Sequence, residues 1–107
     1  MQLNLIVETN EPEIVWNAFR LANKALDAGH DVETFLLGDG VEAADIETEK
    51  FNPRGVIRKY VNDGGDLEAC GTCLDARDLD ENDLRPRSTM DELLRIVEEG
   101  DKILTFG

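Results

Sequence analysis

The sequence predicts an α/β fold, and three observations carry that expectation. Residues 2–9 open with alternation and become continuously apolar over Leu5, Ile6 and Val7, as an inner parallel strand does. An amphipathic segment then runs from about residue 10 to residue 28 and is closed by Gly29. Residues 32–37 form a second strand, ended by Gly38-Asp39-Gly40. A strand, a helix and a strand in so short a span make one crossover unit, which is right-handed in nearly all cases and sets its two strands parallel.

The first helix is expected to be capped by Thr9 or Asn10, with Pro12 in its first turn and Glu11 and Glu13 at its positive end. Ile14, Val15, Ala18, Leu21, Ala22, Ala25 and Leu26 share one face, with Phe19 at the edge. Trp16 falls in the opposite sector with Arg20 and Asn23. It either meets a second subunit or lies flat on its own surface. Residues 41–44 suggest a short helix, and residues 47–53 a loop. Residues 54–62 suggest a helix with Val56, Ile57, Tyr60 and Val61 on its apolar side, stopped by Gly64-Gly65. Residues 66–69 are a third strand leading into Cys70, followed by a helical turn from Thr72 and an acidic loop. A short strand is expected over residues 84–87. A helix over residues 89–99 should be started by a capping box on Ser88 or Thr89 and closed by Gly100, before a last strand at residues 102–106. With no repeat, linker or low-complexity stretch, the 107 residues read as one domain.

Charge narrows the function. Twenty-four acids against eleven bases give a net charge of −13, which argues against direct nucleic-acid binding, because that depends on a basic patch. Arg outnumbers Lys seven to four, and the spread of acid along the chain fits either a high-salt habitat or an ordinary acidic protein kept soluble by its charge. Apolar runs such as Leu5-Ile6-Val7 fall far short of the roughly 20 residues of a membrane helix, so no membrane partner is expected. The first residues carry no basic patch and no long apolar run, so a cytoplasmic location with reduced thiols is expected.

Chemistry-bearing residues are few. The one histidine, His30, follows Gly29 and reads as a turn residue; the one serine, Ser88, gives little support to a catalytic triad. Gly38-Asp39-Gly40 lacks the further glycines of a phosphate cradle. Both cysteines, however, stand in a single C-x-x-C: Cys70-Gly71-Thr72-Cys73. At the end of a parallel strand, Cys70 would lie where α/β folds place their ligands, beside a helical turn whose amides favour a thiolate, with Arg77 one turn further on. Four uses of the pair stand open: a structural zinc site, a structural disulfide, a thioredoxin-type dithiol, or a persulfide carrier. Zinc needs four ligands and the chain offers these two and a distant His30. A disulfide is out of place in a reducing compartment. The dithiol lacks the early motif position of thioredoxins.

The run Ala69-Cys70-Gly71-Thr72-Cys73-Leu74-Asp75-Ala76-Arg77 and the ending Asp101-Lys102-Ile103-Leu104-Thr105-Phe106 resemble the DsrE/DsrF-like family, in particular its YchN-like branch, over nearly the whole chain. The resemblance implies a three-layer α/β/α fold around a mostly parallel sheet of about five strands, assembly as trimers, hexamers or other homo-oligomers, and sulfur relay between donor and acceptor proteins, with persulfide sulfur carried on Cys70. On this basis Cys70, Cys73 and Arg77 are the catalytic candidates and Gly71, Thr72 and Asp75 the supporting ones. Asp75 is expected to cap the turn or pair with Arg77. Transfer between sulfurs requires neither cofactor nor metal. Members of the family often carry Gly after the matching Arg, where this chain has Asp78.

Overall fold

A computed structural model describes residues 1–107. Its strands are β1 (Gln2–Val7), β2 (Asp31–Leu36), β3 (Asp66–Cys70), β4 (Arg87–Ser88) and β5 (Lys102–Phe106). Its α-helices are α1 (Pro12–Asp27), α2 (Pro53–Asn62), α3 (Gly71–Ala76) and α4 (Met90–Glu99), and a 3-10 segment covers Gly38–Asp45. The strands form one sheet in the order β4-β3-β2-β1-β5, with every neighbouring pair parallel. From β1 to β4 each connection steps one strand in the same direction, so right-handed crossovers put α1 and α2 on one face. The last connection passes back over the sheet to β5 and carries α4 across the other face, giving three layers. No helix is long and apolar enough to cross a membrane.

The two faces differ in thickness. Leu3, Leu5, Val7, Val32, Leu36, Leu67 and Ala69 pack against Val15, Ala18, Phe19 and Ala22 of α1 and Ile57 and Tyr60 of α2. Under α4 the buried apolar set is only Phe35, Cys70 and Ile96, flanked by Leu37, Leu93 and Cys73. Polar groups fill the rest of that face. Asn4 is fully buried and donates from Nδ2 to the Ile96 carbonyl at 2.6 Å, tying β1 to α4. Arg95 of α4 bonds Glu33 of β2 at 2.8 Å as well as Glu92 and Glu99 on its own helix.

Several local expectations are corrected. Helix α1 starts at Pro12, and its cap is Glu11, whose carboxylate accepts from the Ile14 amide at 2.8 Å; Thr9 Oγ1 accepts from the Glu11 amide at 3.0 Å. Because α2 packs beside α1 as well as the sheet beneath it, the buried arc of α1 is turned toward α2. Phe19 is fully buried rather than marginal, Asn23 is buried with Nδ2 donating to the Val56 carbonyl, and Ile14 and Leu21 are exposed. Trp16 finds partners within the chain: its ring lies 5.3 Å from that of Phe51, and the Arg20 guanidinium sits 4.3 Å above it. The strand expected at residues 84–87 pairs only at Arg87 and Ser88, because Pro86 has no amide to donate; its carbonyl accepts from Ala69 instead. Of the two caps expected for α4 it is Thr89 that serves, accepting from the Glu92 amide as the sequence allowed.

Candidate functional site

Cys70 is the last residue of β3 and the N-cap of α3, so one residue closes the strand and opens the helix. Strand alternation sends Leu67 and Ala69 into the thick core and leaves Glu68 and Cys70 on the α4 face. There Cys70 packs against Phe35 and Ile96 with only 3% of its surface exposed, and that remainder lines an open cleft of about 330 Å³. Gly71, Thr72 and Asp75 form one wall of the cleft, and the stretch from Arg87 through Ser88 and Thr89 to Met90 forms the other.

Cys73 lies one turn into α3, half-buried, beside both apolar clusters. The Gly38 amide donates to its sulfur at 3.2 Å. Burial, then the hydrogen bond with the Cys70 thiol, push Cys73 above the ordinary thiol pKa, so it keeps its proton and faces Cys70 as a thiol. Both cysteines are free. Cysteines three positions apart on a strand-to-helix junction are thereby packed together, one on the cleft wall and one behind it.

Arg77 donates from Nη1 to the Cys73 carbonyl at 3.1 Å and from Nη2 to Asp39 at 2.7 Å. It therefore stands on the Cys73 side and clamps α3 to the 3-10 segment. Gly38-Asp39-Gly40, dismissed as a phosphate loop, supplies the amide on Cys73 and the carboxylate on Arg77. Asp75 pairs not with Arg77 but with Arg87, whose Nη2 donates at 2.6 Å. That guanidinium holds the Asp75 carboxyl below the usual carboxylate range. Arg87 is the residue that sequence reasoning missed. Its guanidinium lies over Gly71, where a Cβ would come within 2.6 Å of Nη1, and Cys70 is near enough to add to the charges that Arg87 feels. Only the adjacency of β4 to β3, which pairs Cys70 with Ser88, brings it there. Ser88 in turn donates to Glu68 at 2.9 Å.

Asp78, at the position where the family often has Gly, has φ +51. The Leu79 amide donates to the Leu74 carbonyl at 3.0 Å across it, closing α3 with a left-handed cap of the kind Gly usually makes. His30 sits at the opposite end of the sheet from the cysteines, with Nδ1 3.0 Å from the N-terminal amine, so the three do not assemble as metal ligands.

The chain matches the DsrE/DsrF-like family from residue 3 to residue 106. It belongs to that family. Within this family's range of sequences, an uncharacterized protein of Methanocaldococcus jannaschii is 35% identical over 100 residues, spanning 88% of each chain. An uncharacterized protein of Methanopyrus kandleri is 32% identical over 100 residues, spanning 88% of this chain and 83% of that one. The crystal structure of the ychN protein from E. coli superposes with a TM-score of 0.83 at 27% identity, over 99% of this chain and 100% of that chain. The three-layer architecture with its all-parallel five-stranded sheet is thus that of a DsrE-like fold.

Proposed function

We propose that this protein is a sulfur-relay component that carries sulfane sulfur as a persulfide on Cys70. The observation that carries the proposal is the cleft wall itself: a thiol at the carboxyl end of a buried parallel strand, otherwise enclosed, with a second thiol packed behind it. Membership in the DsrE/DsrF-like family supports the same chemistry.

The Cys70 thiolate attacks the outer sulfur of a donor persulfide. A bond forms between Sγ and that sulfur as the donor S–S bond breaks, and the donor leaves as its thiolate with the electron pair. An acceptor thiolate then takes the outer sulfur in the same way and returns Cys70 as a thiolate. Gly71 and Thr72 line the entry, and Arg87, with its partner Asp75, faces the incoming charge. Arg77 holds α3, and with it Cys73, in register with the 3-10 segment. Where no acceptor arrives, Cys73 gives up its proton to water and attacks the inner sulfur, Sγ of Cys70, which releases hydrosulfide with its electron pair as a Cys70–Cys73 disulfide forms; an external thiol reductant reopens it. Such exchange needs no cofactor. The site is proposed to lie at a boundary between copies of this chain: Met90 is on the cleft, and Met90, Leu94 and Val97 leave an exposed apolar stripe along α4.

A second use, as a dithiol redox protein, is favoured by the contact between the two thiols alone. Mass spectrometry after incubation with a cysteine desulfurase and cysteine separates them. Relay gives a gain of about 32 Da on the Cys70 peptide, lost in Cys70→Ser, whereas a dithiol cycle gives a loss of about 2 Da across both cysteines. Full sulfur loading of Cys70→Ser would overturn the assignment.

A further inference from the structure

The cleft beside Cys70 is lined by one cation and one anion, and they stand together. Arg87 and Asp75 bond through Nη2 and Oδ1 at 2.6 Å, with a longer contact from Nη1 to Oδ2 at 3.4 Å. Neither is exhausted by the pair: a guanidinium has five donor hydrogens and a carboxylate about four acceptor sites. Both side chains keep much of their surface in solvent, 41% for Arg87 and 67% for Asp75. Thr72, Ser88, Thr89 and Met90 complete the lining beside the exposed edge of Cys70. The volume, about 330 Å³, is at the lower end of small-molecule sites and holds one amino-acid-sized guest.

Such a lining discriminates by charge pattern. A purely anionic donor such as thiosulfate would meet Arg87 but also Asp75, Glu81 at 3.8 Å from Arg87 Nε, and the field of a chain carrying −13. An α-amino-acid headgroup brings a carboxylate and an ammonium on one carbon, and these match Arg87 and Asp75 together. We infer that the cleft is a site for a free α-amino-acid persulfide, cysteine persulfide in its chemistry, whose carboxylate is received by Arg87 and ammonium by Asp75 while its outer sulfur meets Cys70. Transfer forms the bond from Sγ to the outer sulfur, breaks the S–S bond of the donor, and releases free cysteine as its thiolate with the electron pair. This inference rests on Cys70 being the relay thiol.

The test uses the full-length protein and two independent readouts. In the first, Cys70 alkylation by iodoacetamide is followed by peptide mass spectrometry with S-methyl-L-cysteine present, against analogues lacking either the ammonium or the carboxylate. S-methyl-L-cysteine is expected to protect Cys70 and both truncated analogues to fail. Protection should fall about tenfold in Arg87→Gln and in Asp75→Asn, the worth of one charge-assisted hydrogen bond. In the second, sulfur loading is timed with L-cysteine persulfide generated in situ from L-cystine by a C–S lyase, with thiosulfate, and with inorganic polysulfide, which has no headgroup. Asp75→Asn is expected to slow loading from cysteine persulfide about tenfold and to speed loading from the dianionic polysulfide, a shift in donor ratio that a merely misfolded site would not produce. Equal protection by all three analogues, or an unchanged donor ratio in both variants, overturns the inference while polysulfide loading of Cys70 leaves the relay role standing. Failure of every donor to load Cys70 overturns the relay role and the inference with it.

Discussion

Replacing Gly71 by Ala separates the site from the fold. The backbone of Gly71 is not left-handed, so alanine meets no conformational barrier there. Its methyl would lie 2.6 Å from Arg87 Nη1, 3.2 Å from Arg87 Cγ and 3.2 Å from the Ser88 carbonyl oxygen. The closest of these is the end of a flexible side chain, which swings away and gives up its pairing with Asp75. An exposed ion pair of that kind contributes little to stability, and alanine in place of glycine in a helix returns up to about 1 kcal/mol. The net change in stability is therefore within about 1 kcal/mol of zero. Gly40 is the contrast. There a methyl would overlap the Val7 backbone carbonyl, which cannot rotate away without breaking the junction of β1 with the 3-10 segment, and a loss of about 3 kcal/mol, the upper end of overpacking, is expected. Urea midpoints measure both. NMR titration of Asp75 reads the local event: with Arg87 displaced, the carboxyl should climb back toward its ordinary range in Gly71→Ala, and amino-acid protection of Cys70 should fall with it. If Gly71→Ala loses as much stability as Gly40→Ala, or if Asp75 stays depressed, Arg87 is not held over Gly71 as described.

Three further outcomes are expected. Asn4→Ala removes the bond from Nδ2 to the Ile96 carbonyl and loosens α4, with a loss of about 1–3 kcal/mol by denaturant melt and faster alkylation of the otherwise enclosed Cys70. Because Cys73 is raised in the folded chain, its contribution to stability is complete below the ordinary thiol range and is lost as pH rises through the raised value. As pH rises from neutral through the ordinary thiol range and beyond it, the wild type should therefore lose more stability than Cys73→Ala. Unchanged differences across that window would mean that Cys73 is not perturbed. Asp78→Gly relieves a left-handed residue and is expected to stabilise by about 1 kcal/mol, read as a rise in thermal midpoint; a fall would show that the Asp78 side chain does more than tolerate its φ.

Local sequence patterns determined much of this protein because they act over a few residues. Alternation and helical period placed most of the strands and helices to within one or two residues, β4 and the 3-10 segment excepted, Gly29 and Gly100 marked helix ends, and the single C-x-x-C located the thiols at a strand-to-helix junction. The crossover rule made the first two strands parallel, and the all-parallel sheet extends that rule to every pair. Where an element's surroundings come from distant segments, the pattern had nothing to read. The packing of α2 against α1 turned the buried arc toward Phe19 and Asn23, and Phe51, 35 positions from Trp16 in the chain, covered the indole. In the site, Cys70, Cys73 and their supports Gly71 and Thr72 are neighbours in sequence and were legible; Arg87, Asp39 and Gly38 belong to other elements and were not. The sequence left Asp75 either to cap the turn or to pair with Arg77, yet the parallel pairing of Cys70 with Ser88 delivers Arg87 to it instead, since the charge nearest a group is set by which strand lies beside it in the sheet.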